Sequence, residues 1–134
     1  MFLGQNLIVQ DRHYPMVGAI AVDFALEKGP QGHGYTILEC MTTSPYFSQG
    51  ERIKGHEFHY SRPIFLQENP PYTFRVLRGN GMDGSHDGIC IKNLMATYTH
   101  IHAGGDPSWA GRLVRVAKAI DFRRKISQGM KKRN

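Results

Sequence analysis

The 134-residue sequence is poor in several things, and each shortage excludes a class. It has two cysteines, Cys40 and Cys90, in neither a disulfide framework nor a zinc-ribbon spacing. That pair is expected to be two reduced thiols behaving as small hydrophobes. No window approaches the roughly 18 apolar residues that a membrane span needs. The first ten residues have no basic leading region and no small-residue cleavage site, so a soluble, cytoplasmic protein is expected. There is no GxxxxGK[ST] run, and hence no phosphate loop. Acidic residues are missing from the last segment, RRKISQGMKKRN, which carries Arg123, Arg124, Lys125, Lys131, Lys132 and Arg133. Without those six, the remaining eleven basic residues balance the eleven acidic ones. The net charge of +6 therefore belongs to a basic tail over 123–134, and residues 1–122 form a neutral body. A tail of this kind reads as a solvated terminus, and nucleic-acid binding is not expected.

The patterning that is present points to strands joined by turns. YTILEC (Tyr35–Cys40), RIKGHEFHY (Arg52–Tyr60, with Gly55 as a candidate bulge) and Tyr72–Leu77 read as strands. MVGAIAV, Met16–Val22, has the length and β-branching of another. Gly88–His102 gives one long strand or two short ones. Met1–Val9 reads as a helix tail or an irregular apolar segment. Asp11–Pro15, Glu27–Gly34, Thr42–Gly50, the proline-rich Ser61–Pro71 and Asn80–Asp87 read as connections. Turns rather than helices between strands predict a largely antiparallel sheet. One helix is expected at the end. Asp106 suits its N-cap and Pro107 its first position. Trp109, Leu113, Val116, Ala117 and Ile120 form one stripe expected to be buried, and the helix is expected to end near Arg123 or Arg124. A few strands and one helix leave a sheet face uncovered, as in a piece of something larger.

Four of the seven histidines lie in two clusters. In GHEFHYS, Gly55–Ser61, alternation puts His56 and Phe58 on one face and Glu57 and His59 on the other. In THIH, His100 and His102 share a face. Imidazoles at i and i+2 on a strand can chelate a divalent ion, with His56, Glu57 or His59 completing the set. HEFH is not the HExxH helix motif, however, and the spacing assigns no metal. Interior histidines with hydrogen-bonded nitrogens are the structural alternative. Acid–base chemistry is the third reading. A histidine at a strand end before a Gly-Gly turn can take a proton from a nucleophile and return it to a leaving group.

PMVG (Pro15–Gly18), GHGY within PQGHGY (Gly32–Tyr35), GHEFHYS and ATYTHIHAGGDPSWA (Ala96–Ala110), in that order, resemble the C-terminal part of the cobyrinic acid a,c-diamide synthase family. The likeness runs from about Phe2 to about Ile120. PQGHGY and the Ala-Gly-Gly after His102 look closest to the branch found beside dissimilatory sulfite reductase genes, which is thought to amidate sirohaem. The resemblance implies an α/β fold: part of a class I glutamine amidotransferase-like domain, with largely antiparallel strands and a C-terminal amphipathic helix. It implies a partner, an N-terminal ATP-binding domain or a separately encoded half, that uses ATP and Mg²⁺. Glutamine and a tetrapyrrole carboxylate are the implied substrates. His100 matches the family's catalytic histidine, a general base, and His102 stands where related amidotransferases often carry a glutamate. For Gly55, His56, Glu57, Phe58, His59, Tyr60 and Ser61 the resemblance gives a motif without a role. The family's nucleophile, in a Cys-Gly-Gly turn, is expected just upstream of Met1, since neither Cys40 nor Cys90 has an elbow's context. A fragment carrying the base without the nucleophile or the ATP site is therefore expected. The alternative is a non-catalytic β-rich module that binds a metal or tetrapyrrole through the two histidine clusters.

Overall fold

The computed structural model describes the backbone of residues 1–131 and the side chains of residues 1–122. Ten strands precede one helix, α1, Trp109–Lys131. One sheet has four strands in the order β2 (Arg12–Pro15), β1 (Asn6–Val9), β3 (Val22–Leu26) and β6 (Ser61–Phe65). The other has six, in the order β10 (His100–Ile101), β5 (Arg52–His59), β4 (Gly32–Cys40), β7 (Tyr72–Arg78), β8 (His86–Ile91) and β9 (Leu94–Ala96). Every pairing is antiparallel except β1 with β3, in line with the expected largely antiparallel sheet.

Two apolar clusters hold the sheets. Val22 and Phe24 of β3 meet Ile89 of β8, with Ile20, Met82 and Tyr98, and so join one sheet to the other. Leu38, Cys40, Ile53 and Phe74 line the inner face of the six-stranded sheet, and Phe47 from the Thr42–Gly50 loop covers them.

The six-stranded sheet cannot be flat. Its edge strands β9 and β10 would lie about 24 Å apart in a flat sheet at about 4.8 Å per strand. Only Thr97–Thr99 joins them, and the four steps from Ala96 to His100 span at most about 14 Å. The sheet therefore curls until its two edges approach each other. Asp87 of β8 fixes the closure. Its carboxylate accepts the N–H groups of Tyr98 (3.1 Å) and Thr99 (2.9 Å) and the Thr97 hydroxyl (3.1 Å).

Several expectations need correction. Asn6–Val9 and Arg12–Pro15 are a hairpin, not an irregular segment and a loop. The strand expected over Met16–Val22 begins only at Val22. Residues 16–20 run as irregular chain beside 2–5, donating to the carbonyls of Phe2, Leu3, Gly4 and Gln5. Ser61–Phe65 is a strand despite Pro63, which is tolerated because β6 is an edge. Gly88–His102 yields most of β8 and all of β9 and β10. Gly55 is not a bulge, since the β4–β5 register runs unbroken from Gly32↔His59 to Glu39↔Arg52.

The helix also departs from expectation. Asp106 does accept the Ser108 N–H, and Arg112 ties the first turn to the body through Glu51, the Tyr46 carbonyl and the Phe47 ring. Only Val116 of the stripe is buried, however. Trp109, Leu113 and Ile120 are exposed, and Ala117 is exposed with them. Trp109 and Leu113 line an apolar pocket with Leu3, Phe47, Met95 and Ile101, without being buried by them. The helix does not stop at Arg123 or Arg124 but runs to Lys131. The side chains of the basic tail lie outside the described residues.

Candidate functional site

GHEFHYS spans the end of β5, the bend at Tyr60 and the first residue of β6, and its alternation along β5 is obeyed. His56 and Phe58 are exposed on the outer face, whereas Glu57 and Ser61 are buried and His59 is nearly so. The inner half is a set of clamps. The Glu57 carboxylate accepts the backbone N–H groups of Asn80 (2.6 Å) and Gly81 (2.9 Å), pinning the β7–β8 turn onto β5. His59 donates Nδ1–H to the Ser61 carbonyl at 2.9 Å, because a carbonyl can only accept. Its ring lies flat on Tyr98, 3.8 Å between centroids. The Ser61 and Tyr98 hydroxyls share a hydrogen bond of 2.7 Å. His59 Nε2 has no hydrogen-bond partner among the described residues and lies 3.6 Å from a Glu57 oxygen.

Burial pushes the Tyr98 phenol up to about 12; the Asp87 charge adds to this, and the Ser61 hydroxyl acts in the opposite sense. The folded state thus keeps the proton that an unfolded tyrosine loses near pH 10. Stability should fall as pH rises from about 10 towards 12, because there the folded chain holds more protons than the unfolded one. Urea melts across that range should show the decline, and Tyr98→Phe should make it shallower, with the half-buried Tyr72 phenol, also raised, contributing the rest.

His100 lies on β10, the two-residue edge strand, with its Cα opposite that of His56. Both side chains are exposed, and their rings meet edge to face at 4.8 Å. Asp87 fixes the backbone immediately before His100. The glycine of Gly55–Ser61 explains how close β10 can come. A Cβ on Gly55 would stand 2.5 Å from the His100 carbonyl oxygen and 2.6 Å from Thr99 Cγ2. Gly55→Ala should therefore displace β10, costing about 1–3 kcal/mol in urea unfolding as overpacking against backbone. His102 follows the strand, is exposed, and accepts the Gly104 N–H on Nδ1 at 3.0 Å. The ring beside His100 is that of His56.

The structure therefore does not gather the two clusters into one four-histidine site. His56 and His100 meet on the outer face, His59 points inward, and His102 belongs to the turn. Among the described residues, no group of three or more His, Cys, Asp or Glu is placed to hold a metal. Asp87 and Tyr98, which position the strand carrying His100, were not singled out in the sequence. Asp87 sits in SHDG, which reads as a turn, and Tyr98 was one more residue of a strand.

Cys40 lies on the opposite face of the sheet from His56. Tyr35 pairs with His56 and so shares its outer face. Cys40 lies five residues further along β4, hence on the inner face and about 16 Å along the strand. It is buried, donates to the Thr42 carbonyl, and burial raises its thiol above the ordinary value. Cys90 is raised by burial too. Thiols raised in this way are poor nucleophiles.

The family defined by the CobB/CobQ-like glutamine amidotransferase domain matches residues 1–108, including every residue of both histidine clusters. The chain belongs to this family. Similar proteins include cobyrinate a,c-diamide synthases from Magnetococcus marinus, 38% identical over 86% of this chain, and from Archaeoglobus fulgidus, 36% identical over 87%. The synthase from Methanothermobacter thermautotrophicus is 40% identical over 65%. The chain spans about a quarter of the length of the first two relatives and 19% of the third. As a CobB/CobQ-like amidotransferase domain, it holds a histidine-bearing edge strand on a curled sheet. Among the described residues, no helix is long and apolar enough to cross a membrane.

Proposed function

We propose that this chain is the base-bearing part of a cytoplasmic glutamine amidotransferase that supplies ammonia for amidating tetrapyrrole side-chain carboxylates. The observation that carries this reading is the family match over residues 1–108, with His100 exposed at the sheet edge and its backbone fixed by Asp87. Imidazole is the side chain best suited to pass a proton both ways near neutral pH.

In this proposal the reacting thiol comes from residues other than these 134. His100 takes its proton, and the thiolate attacks the carboxamide carbon of glutamine. The C–N bond breaks and the imidazolium returns the proton to the departing ammonia. Water, deprotonated by the same imidazole, then hydrolyses the thioester to glutamate. ATP and Mg²⁺ belong to a separate ATP-binding part, where the tetrapyrrole carboxylate is activated for ammonia to attack. The relatives' name points to cobyrinate as the substrate, and the PQGHGY likeness points to sirohaem. His102 shapes the turn after the base through Gly104. The inner residues Glu57, His59 and Ser61 hold the scaffold, while Phe58 and Tyr60 remain on its exposed surface.

The direct test is a glutaminase assay on the isolated chain. No turnover is expected. Turnover that disappears in Cys90→Ser or Cys40→Ser would overturn the reading, because it would place the nucleophile within these residues.

A further inference from the structure

The outer face of the six-stranded sheet brings two imidazoles together that the sequence keeps far apart. We propose that His56 and His100 form a bidentate site for a divalent transition-metal ion, of which Zn²⁺, Ni²⁺ and Cu²⁺ are the fitting members. Their Cα atoms are direct partners across antiparallel β5 and β10, so both side chains leave the same face side by side. Two imidazoles on one ion, with Zn–N bonds of about 2.0–2.1 Å and a ligand–metal–ligand angle of roughly 90–110°, hold ring centroids about 4.5–5.2 Å apart. The observed separation of 4.8 Å lies within that range. The rings now meet edge to face at 63°.

The backbone beneath the pair is fixed in advance. Gly55 lets β10 approach, Asp87 holds the Thr99 N–H, and Glu57 anchors β5 to the neighbouring turn. Preorganised ligand positions reduce the ordering cost of binding. Nearby histidines do not compete for the role. His59 is on the inner face, with Nδ1 on the Ser61 carbonyl. His102 uses Nδ1 for the Gly104 N–H, and the His33 ring packs on Phe58. Because the described residues bring no third His, Cys, Asp or Glu to the pair, water completes the coordination. Two neutral imidazoles with open positions suit zinc, nickel and copper better than calcium or magnesium, which take oxygen ligands. The site uses no glutamine and no thiol, so it stands or falls independently of the amidotransferase reading. Where that reading also holds, a bound ion would occupy the imidazole needed as a base.

Untagged chain titrated with ZnCl₂ and NiCl₂ by calorimetry should take up one ion. His56→Ala and His100→Ala should each weaken binding on the order of tenfold or more, while His102→Ala and His33→Ala leave it unchanged. The Cu²⁺ complex should show hyperfine coupling to two imidazole nitrogens by electron paramagnetic resonance. If an alanine variant melts early, His56→Phe keeps a ring there without a donor nitrogen and should lose the ion equally. Absence of saturable binding by the parent chain, or undiminished binding by the His56 and His100 variants, would overturn the site.

Discussion

His100→Ala should lower glutamine-dependent amidation by about 10²–10⁴-fold, the usual loss when a positioned acid–base group is removed. The assay uses a chimaera in which residues 1–108 replace the matching segment of the Magnetococcus marinus synthase. Ammonia supplied directly should restore the variant to the parental rate, since only ammonia release needs the imidazole. That bypass separates a lost base from a lost fold, because a misfolded chimaera would fail with either nitrogen source. The side chain is exposed on an edge strand whose backbone contacts do not involve the ring, so alanine should leave the scaffold standing. His102→Ala should cost less, since its ring serves the Gly104 turn. An unchanged glutamine-dependent rate in His100→Ala would remove the residue from the chemistry.

The largest stability effect should come from Asp87→Ala. This carboxylate is fully buried and accepts the N–H groups of Gly88, Tyr98 and Thr99 and the Thr97 hydroxyl. Alanine leaves three buried N–H groups without an acceptor, at about 1–3 kcal/mol each, so a loss of about 3 kcal/mol or more is expected in urea unfolding. That is a large share of the roughly 5–15 kcal/mol that holds a typical domain. Asp87→Asn keeps one oxygen acceptor and should lose less. The same substitution should slacken Thr97–Thr99 and reduce glutamine-dependent activity in the chimaera, although Asp87 touches no substrate. Equal stability of Asp87→Ala and the parent would mean that another group closes the sheet.

What could be read in advance follows from how local each signal is. YTILEC, RIKGHEFHY and Tyr72–Leu77 were legible because alternation is written in consecutive residues, and β4, β5 and β7 cover them. RHYP and SRPIF were not. The four residues of β2 are all exposed and carry no apolar alternation, and Pro63 reads as a strand breaker until β6 is known to be an edge. The faces of His56 and His59 were legible from parity alone. The meeting of His56 with His100 was not, because register between distant strands depends on Gly55 and Asp87 acting together. The helical stripe was a true periodicity, but burial needs a covering surface, and among the described residues Val116 is the one stripe position that is buried.

The short β10 strand has a consequence for folding order. The β4–β5 hairpin closes a local loop, whereas docking His100 beside His56 must close the whole intervening stretch, through β6, β7, β8 and β9. Loop-closure entropy and topology both delay such a contact. With only two residues, β10 has little pairing of its own to resist opening. His100 should thus be among the last groups to take its place during folding and among the first to leave during a local opening. Its amide protons should exchange with solvent sooner than those of β4.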